Sequence, residues 1–236
     1  MIARSRRQLA PLTAEGKRYL VRDHTAAVVQ LALALGFART LGWFNAWLYG
    51  GLLVAGKVTS ALLLTRINPA VVNARGVRHP MSTRERVFFS VYIPTSLSIP
   101  MIAGLEVGGP GWTHHSAMEL LVGAALLTIG GGAIVWALAV NAFFEPTVRI
   151  QRERGHRVCS SGPSRFVRHP GYAGAIALTV GIPLLLGSRW CFVPVAVVTL
   201  AFVVRTVYED RLLHEELGGY EAYAAETRYR LLPLVW

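Results

Sequence analysis

MELLVGAALLTIGGGAIVWALAVNAFF, residues 118–144, carries one ionisable side chain, Glu119, at its start. An α-helix needs about 20 apolar residues to cross a hydrocarbon core of about 30 Å, and this run exceeds that length. Working outward, further apolar runs fall near residues 25–41, 43–65, 88–105, 171–187 and 190–208. The 236-residue chain is 53% hydrophobic and only 16% charged, with a mean hydropathy of +0.42, whereas an ordinary soluble domain is about 25% charged. The expected fold is an all-α, polytopic integral membrane helix bundle. Six spans are expected, with five as the alternative, because the first and fifth runs are short enough to be re-entrant. The first run reads as a retained anchor: a long polar-rich stretch precedes it and no clear small-x-small cleavage site follows.

Arginine and lysine orient the bundle. Arg4, Arg6, Arg7, Lys17, Arg18 and Arg22 precede the first run. Arg66, Arg75, Arg78, Arg84 and Arg86 lie between the second and third, and Arg149, Arg152, Arg154, Arg157, Arg165 and Arg168 between the fourth and fifth. The alternate connections hold Arg39, no basic residue across 106–117 apart from His114 and His115, and Arg189. The positive-inside rule then places both termini and the two long basic loops in the cytoplasm, most simply at a cell inner membrane. The formal charge of +11 is thereby a topology signal plus attraction to anionic headgroups, not a nucleic-acid footprint. Cys159 and Cys191 form neither a disulfide framework nor a metal spacing. The dispersed histidines give no metal site.

Lys57 is the one charge deep within a span, where snorkelling along its own helix relieves it. Gly123, Ala124, Gly130, Gly131 and Gly132 invite close approach by another helix. The fourth run is expected to continue through Asn141 and Phe144 to a stop at Pro146, its excess length taken up by tilt or extension.

Chemistry gathers at the basic end. PTVRIQRERGHRVCSSGPSRFVRHP, residues 146–170, is too polar to span; it ends on Arg168 and His169, and Pro170 is suited to the first position of the fifth helix. Past the sixth run, Arg205 and Glu209 sit four apart on one helical face, next to Asp210. Gly218 and Gly219 are expected to divide the segment that follows into two elements. On physics alone Arg168 can equally bind lipid phosphate, Tyr172 serve as an interfacial aromatic and His169 cap local backbone.

NAFFEPTVRIQRERGHRV, GPSRFVRHPGYAG and RTVYEDRLLHEELGGYEAYAAETRYRLLP together resemble the isoprenylcysteine carboxyl methyltransferase family and its phospholipid methyltransferase relatives, over residues 141–233. The resemblance divides the chain into N-terminal transmembrane helices, 1–140, and a methyltransferase-like region, 141–236, that does not fold independently. It implies an S-adenosylmethionine-dependent methyltransferase whose cofactor pocket is formed by the C-terminal half on the cytoplasmic side, with His169, Pro170, Tyr172, Gly174, Glu209 and Asp210 as cofactor-binding residues. Arg168, Arg205 and Arg230 are the residues expected to serve the chemistry, Arg168 by local electrostatics and the other two by steering an anionic acceptor. Tyr220, Tyr223 and Pro233 match the family's tail, whereas Ser164 stands where the family commonly has Tyr. The methyl acceptor implied is a membrane lipid or lipid-like carboxylate or thiol, with a phospholipid amine as a further option. Two alternatives remain open: an NADPH-dependent membrane reductase, and a non-enzymatic membrane component or small-molecule carrier.

Overall fold

The computed structural model describes residues 10–109 and 116–236. Arg4, Arg6, Arg7, His114 and His115 lie outside these. The helices are α1 (Ala14–Ala38), α2 (Phe44–Ile67), α3 (Pro69–Gly76), α4 (Thr83–Gly108), α5 (Ala117–Val140), α6 (Pro170–Leu186), α7 (Phe192–Glu216) and α8 (Tyr220–Glu226), with 3₁₀ turns at Arg152–Arg154 and Gly162–Arg165. Among the described residues every regular element is helical.

Helices α1, α2, α4, α5 and α7 are long and apolar enough to cross a membrane, so the protein is an all-α, polytopic membrane bundle. Of the six spans expected, with five as the alternative, five have this length among the described residues. Helix α6 has 17 residues, about 25 Å at 1.5 Å per residue, because Pro170 opens it and Gly187, at φ 72°, closes it in the left-handed region. The first span, by contrast, is not short. The Thr13 side chain accepts from the Gly16 N–H and starts the helix at Ala14, which adds polar turns before the apolar run. Helix α5 ends earlier than its composition indicates. Asn141 leaves the helical region at φ −103°, ψ 102°, and its Oδ1 accepts from Phe143 N at 2.9 Å, so Asn141 rather than Pro146 stops the span.

Lipid tails supply no hydrophobic drive between helices, so small residues set the packing. A Cβ on Gly123 would lie 2.4 Å from Leu185 N, and one on Gly130 2.5 Å from Gly174 O. Gly174 and Gly181 reciprocate, at 2.6 Å from Gly130 O and 2.7 Å from Gly123 O. Antiparallel α5 and α6 therefore touch backbone to backbone through two glycine pairs seven residues apart. Gly132 has open space about it, so only part of the glycine cluster serves this contact. Gly104 seats α4 on α1, where an added Cβ would meet Ala34 O at 2.4 Å.

Lys57 does not rely on snorkelling. Its Nζ donates to Asp23 Oδ1 at 2.7 Å, joining α2 to α1 by an ion pair whose side chains are 37% and 22% exposed. At the opposite end from the basic loops, Asn45 Nδ2 donates to Leu185 O at 2.8 Å, and Cys191 Sγ to Ile99 O at 3.0 Å.

Candidate functional site

The basic end is organised around three carboxylates. Asp210, 2% exposed, gathers the first group. Its Oδ1 accepts from Arg168 Nε at 2.8 Å and Tyr220 OH at 2.9 Å, and lies 3.3 Å from His169 Nε2. Its Oδ2 accepts from Arg168 Nη2 at 3.1 Å and Arg230 Nε at 2.9 Å. Arg168 Nη1 reaches the carbonyls of Thr227 and Arg228, each at 3.1 Å. The backbone N–H groups of Arg168 and His169 donate to Tyr229 O and Arg230 O at 2.8 and 2.9 Å. One buried anion thus pins the loop before α6, the end of α7 and the tail after α8 together. Several charge-assisted hydrogen bonds satisfy that anion, as burial requires.

Glu209 carries the second group. Tyr172 OH donates to Glu209 Oε2 and accepts from Arg205 Nε at 2.8 Å, forming a relay of cation, phenol and carboxylate. The Arg205 guanidinium is 6% exposed and sits 4.3, 5.4 and 5.7 Å from the ring centroids of Phe88, Phe89 and Tyr172. Its Nη2 donates to Pro146 O, while its buried Nη1 has no hydrogen-bond partner among the described residues. Rings attract a guanidinium through their negative faces, which explains how so buried a charge is tolerated. His169 stacks parallel to Tyr172 with centroids 5.8 Å apart.

Glu145, 5% exposed, carries the third. It accepts from Arg149 Nε at 3.2 Å and Arg154 Nη1 at 2.8 Å, and Arg154 Nη2 donates to Ala142 O at 2.8 Å. Gln151, 1% exposed, donates to Phe143 O at 2.7 Å. This network gives the polar segment after α5 a fixed shape. It escaped the sequence reading because its partners lie within a run of charges that resembles a solvated loop; the one signal was an acid directly after an apolar span.

Two neighbouring clefts share Asn141, Phe144, Ser164, Arg168, His169 and Glu209 as walls. The first extends to His156, Val158, Leu213, Leu217, Tyr220 and Tyr223; the second extends to Ala137, Pro170, Gly171 and Tyr172. Of the sequence-predicted residues, Arg168, His169, Pro170, Tyr172 and Glu209 line these clefts. Asp210 and Arg230 stand behind the wall, and Gly174 faces the α5 backbone. Gly171 admits the Phe144 ring, which an added Cβ would meet at 2.2 Å. His156 packs on Phe143 at 4.6 Å, and its Nδ1 faces the Gln151 N–H at 3.3 Å, which leaves Nε2 to carry the proton of the neutral ring. Burial lowers the pKa of His156 below the usual imidazole value, the Glu209 charge opposing that shift. Burial pushes the Tyr223 phenol up to about 12, and its OH donates to Ser164 O at 2.7 Å.

Residues 122–216 match the isoprenylcysteine carboxyl methyltransferase (ICMT) family. The chain is 32% identical over 111 residues to a probable protein-S-isoprenylcysteine O-methyltransferase of Oryza sativa subsp. indica, covering 45% of this chain and 57% of the relative. The counterpart in Oryza sativa subsp. japonica gives the same figures. Protein-S-isoprenylcysteine O-methyltransferase B of Arabidopsis thaliana is 29% identical over 73 residues, 31% of this chain and 34% of that protein. The chain therefore spans little more than half the length of the rice relatives it matches. The matched segment runs from α5 to the end of α7 and contains Glu145, Arg168, His169, Tyr172, Arg205, Glu209 and Asp210, and over these residues the chain is similar to the isoprenylcysteine carboxyl methyltransferase family.

Proposed function

We propose that the protein is an S-adenosylmethionine-dependent methyltransferase acting on a small lipid-like or isoprenoid carboxylate or thiol at the membrane interface. The observation that carries this reading is the relay Arg205–Tyr172–Glu209, with Glu209 on both clefts. When bound, S-adenosylmethionine supplies an electrophilic methyl group on a sulfonium centre. The residues present fit such a group: Glu209 offers a carboxylate to a cation, Val158, Leu213 and Leu217 offer apolar walls to a heterocycle, and the neutral His156 offers a donor at Nε2. Glu209, Tyr172 and His169 are the residues that would hold it.

A methyl transfer requires alignment of donor and acceptor and exclusion of water more than proton transfer. Tyr172 serves the first requirement, because its hydroxyl is fixed from both sides and in turn fixes Glu209. Phe144 and the backbone-tight α5–α6 contact serve the second. Arg205, with its unpartnered Nη1, is the steering group for an anionic acceptor head. A carboxylate acceptor is already a nucleophile at neutral pH, whereas a thiol with a pKa of about 8.5 needs help to ionise. Arg168 on the cleft wall, with Asp210 and Arg230 behind it, acts as part of a positioning group. The basic end is the cytoplasmic one in this proposal, and the acceptor's apolar tail enters from the bilayer.

Calorimetry on the detergent-solubilised protein tests the cofactor. Saturable S-adenosylmethionine binding is expected, lost in Glu209→Ala. No binding at millimolar concentration in two lipid or detergent environments rejects the reading, and NADPH binding in its place promotes a reductase. Transfer of labelled methyl to membrane lipid extract tests the acceptor. Base treatment releases methanol from a carboxyl ester and leaves thioether or amine label in place.

A further inference from the structure

The family-matched segment begins at residue 122, yet its clefts rest on the N-terminal half. The stretch from the last turn of α3 to the first turn of α4 touches the loop after α5 at three places. Arg75 Nη1 donates to Phe144 O at 3.0 Å. His79 Nε2 lies 3.6 Å from Glu145 Oε2 and 3.3 Å from Arg149 Nη2. Glu85 Oε1 accepts from Val148 N at 2.6 Å. Glu85 is 4% exposed.

A capping box alone explains half of this arrangement. Ser82 and Glu85 exchange side-chain and backbone hydrogen bonds at the start of α4, Ser82 N to Glu85 Oε2 at 3.0 Å and Glu85 N to Ser82 Oγ at 3.3 Å. Ser116 and Glu119 form the same box at the start of α5, and there Glu119 stays half-exposed. Capping therefore does not require the burial of Glu85, and the box at α4 uses only its Oε2. The other oxygen, Oε1, is spent on a loop 63 residues away in sequence, and the loop supplies Glu145, Val148 and Arg149 to the first cleft and the Pro146 carbonyl to Arg205.

We propose that Glu85 is a positioning residue of the site: by holding the Val148 amide it fixes the Glu145–Arg149 wall and the carbonyl that orients Arg205. Its binding consequence rests on the methyltransferase reading, whereas its effect on the loop does not. A buried charged acceptor removed from a backbone N–H leaves that donor unsatisfied. The 145–151 segment should then open more often, and a ligand that needs the wall should bind about tenfold more weakly.

The test combines hydrogen exchange of residues 145–151 with calorimetric S-adenosylmethionine binding in wild type, Glu85→Ala, Glu85→Gln and Ser82→Ala. Glu85→Ala should accelerate exchange in the segment and weaken binding about tenfold. Glu85→Gln, which keeps an acceptor oxygen, should restore both, and Ser82→Ala, which removes only the helix cap, should leave both near wild type. If Glu85→Ala does not fold, Val148→Pro removes the donor from the other side with the α4 cap intact, and the same two changes are expected. Unchanged exchange in Glu85→Ala or Val148→Pro, or equal acceleration in Ser82→Ala, overturns the proposal. Absence of binding in wild type rejects the methyltransferase reading instead, and exchange alone then decides whether Glu85 holds the loop.

Discussion

Tyr172 is held between opposite charges, its hydroxyl donating to Glu209 and accepting from Arg205. Tyr172→Phe keeps the ring against Phe144 and Phe202 but disconnects the two charges and leaves the buried Arg205 Nε without its acceptor, so cofactor affinity should fall about tenfold with a loss of stability of about 1–3 kcal/mol; a variant that binds as wild type does removes Tyr172 from the proposal. Asp210→Ala should act on stability more strongly. It strands Arg168 and Arg230 and removes the anion from a buried network, an effect of about 3–5 kcal/mol, visible as a large fall in thermal stability in detergent before any binding is measured. His156 gives a pH signature. Its folded pKa lies below the unfolded value of about 6.5, so the unfolded chain binds the proton more readily. Stability is full above pH about 6.5 and declines as pH falls through the lowered folded value; His156→Gln should flatten that limb. The sequence made Arg168, His169, Tyr172 and Glu209 legible because a motif and a pair of acids stand out on a membrane face. It did not separate Glu209 from Asp210. Adjacent residues on a helix point about 100° apart, and only the neighbours show which one meets the cleft and which one the tail.

Among the elements, α5 and α6 depend on small residues in a way that makes neighbouring glycines unequal. Gly130→Ala places a methyl 2.5 Å from Gly174 O, backbone that cannot yield without moving a helix, and overpacking of this kind destabilises by about 1–3 kcal/mol. Gly132→Ala meets nothing within 4 Å and should be neutral or stabilising by about 0.5–1 kcal/mol, because alanine restricts the unfolded chain. Melting temperatures of the two variants in one detergent check the contrast, and equal effects would refute the close contact. The run of glycines in the sequence announced that some helix would approach. It did not distinguish Gly130 from Gly132, since the helical face is chosen by the partner's Gly174 and Gly181. Lys57 carries the same lesson: its charge was legible as an anomaly within an apolar run, but Asp23 belongs to another helix and sits at the polar start of α1, where an acid attracts no notice.

At the scale of the molecule, the number of crossings turns on α6. By length it falls short of a full span, yet its far end is bonded at the level where other helices begin and end. Asn45, the second residue of α2, reaches Leu185 O, and Ser188 just beyond α6 meets Glu106 in the last turns of α4. At the near end, Arg168 before α6 and Asp210 in α7 share one ion pair, so the two helices form a hairpin whose ends lie together and whose tip reaches the opposite end of the bundle. A short helix can cross where the bilayer thins or where flanking residues reach the interface, and exposed Arg189 and Trp190 occupy this tip. The orientation that the basic loops predict is open to a labelling test. In a background with Cys159→Ser and Cys191→Ala, Arg157→Cys should react with a membrane-impermeant maleimide only from the cytoplasmic side, and Arg189→Cys only from the outside. Labelling of both positions from the cytoplasmic side would make α6–α7 a re-entrant hairpin. Reversal of both would invert the bundle, and the acceptor and cofactor would then meet on the outer face, where the proposed chemistry has no supply of S-adenosylmethionine.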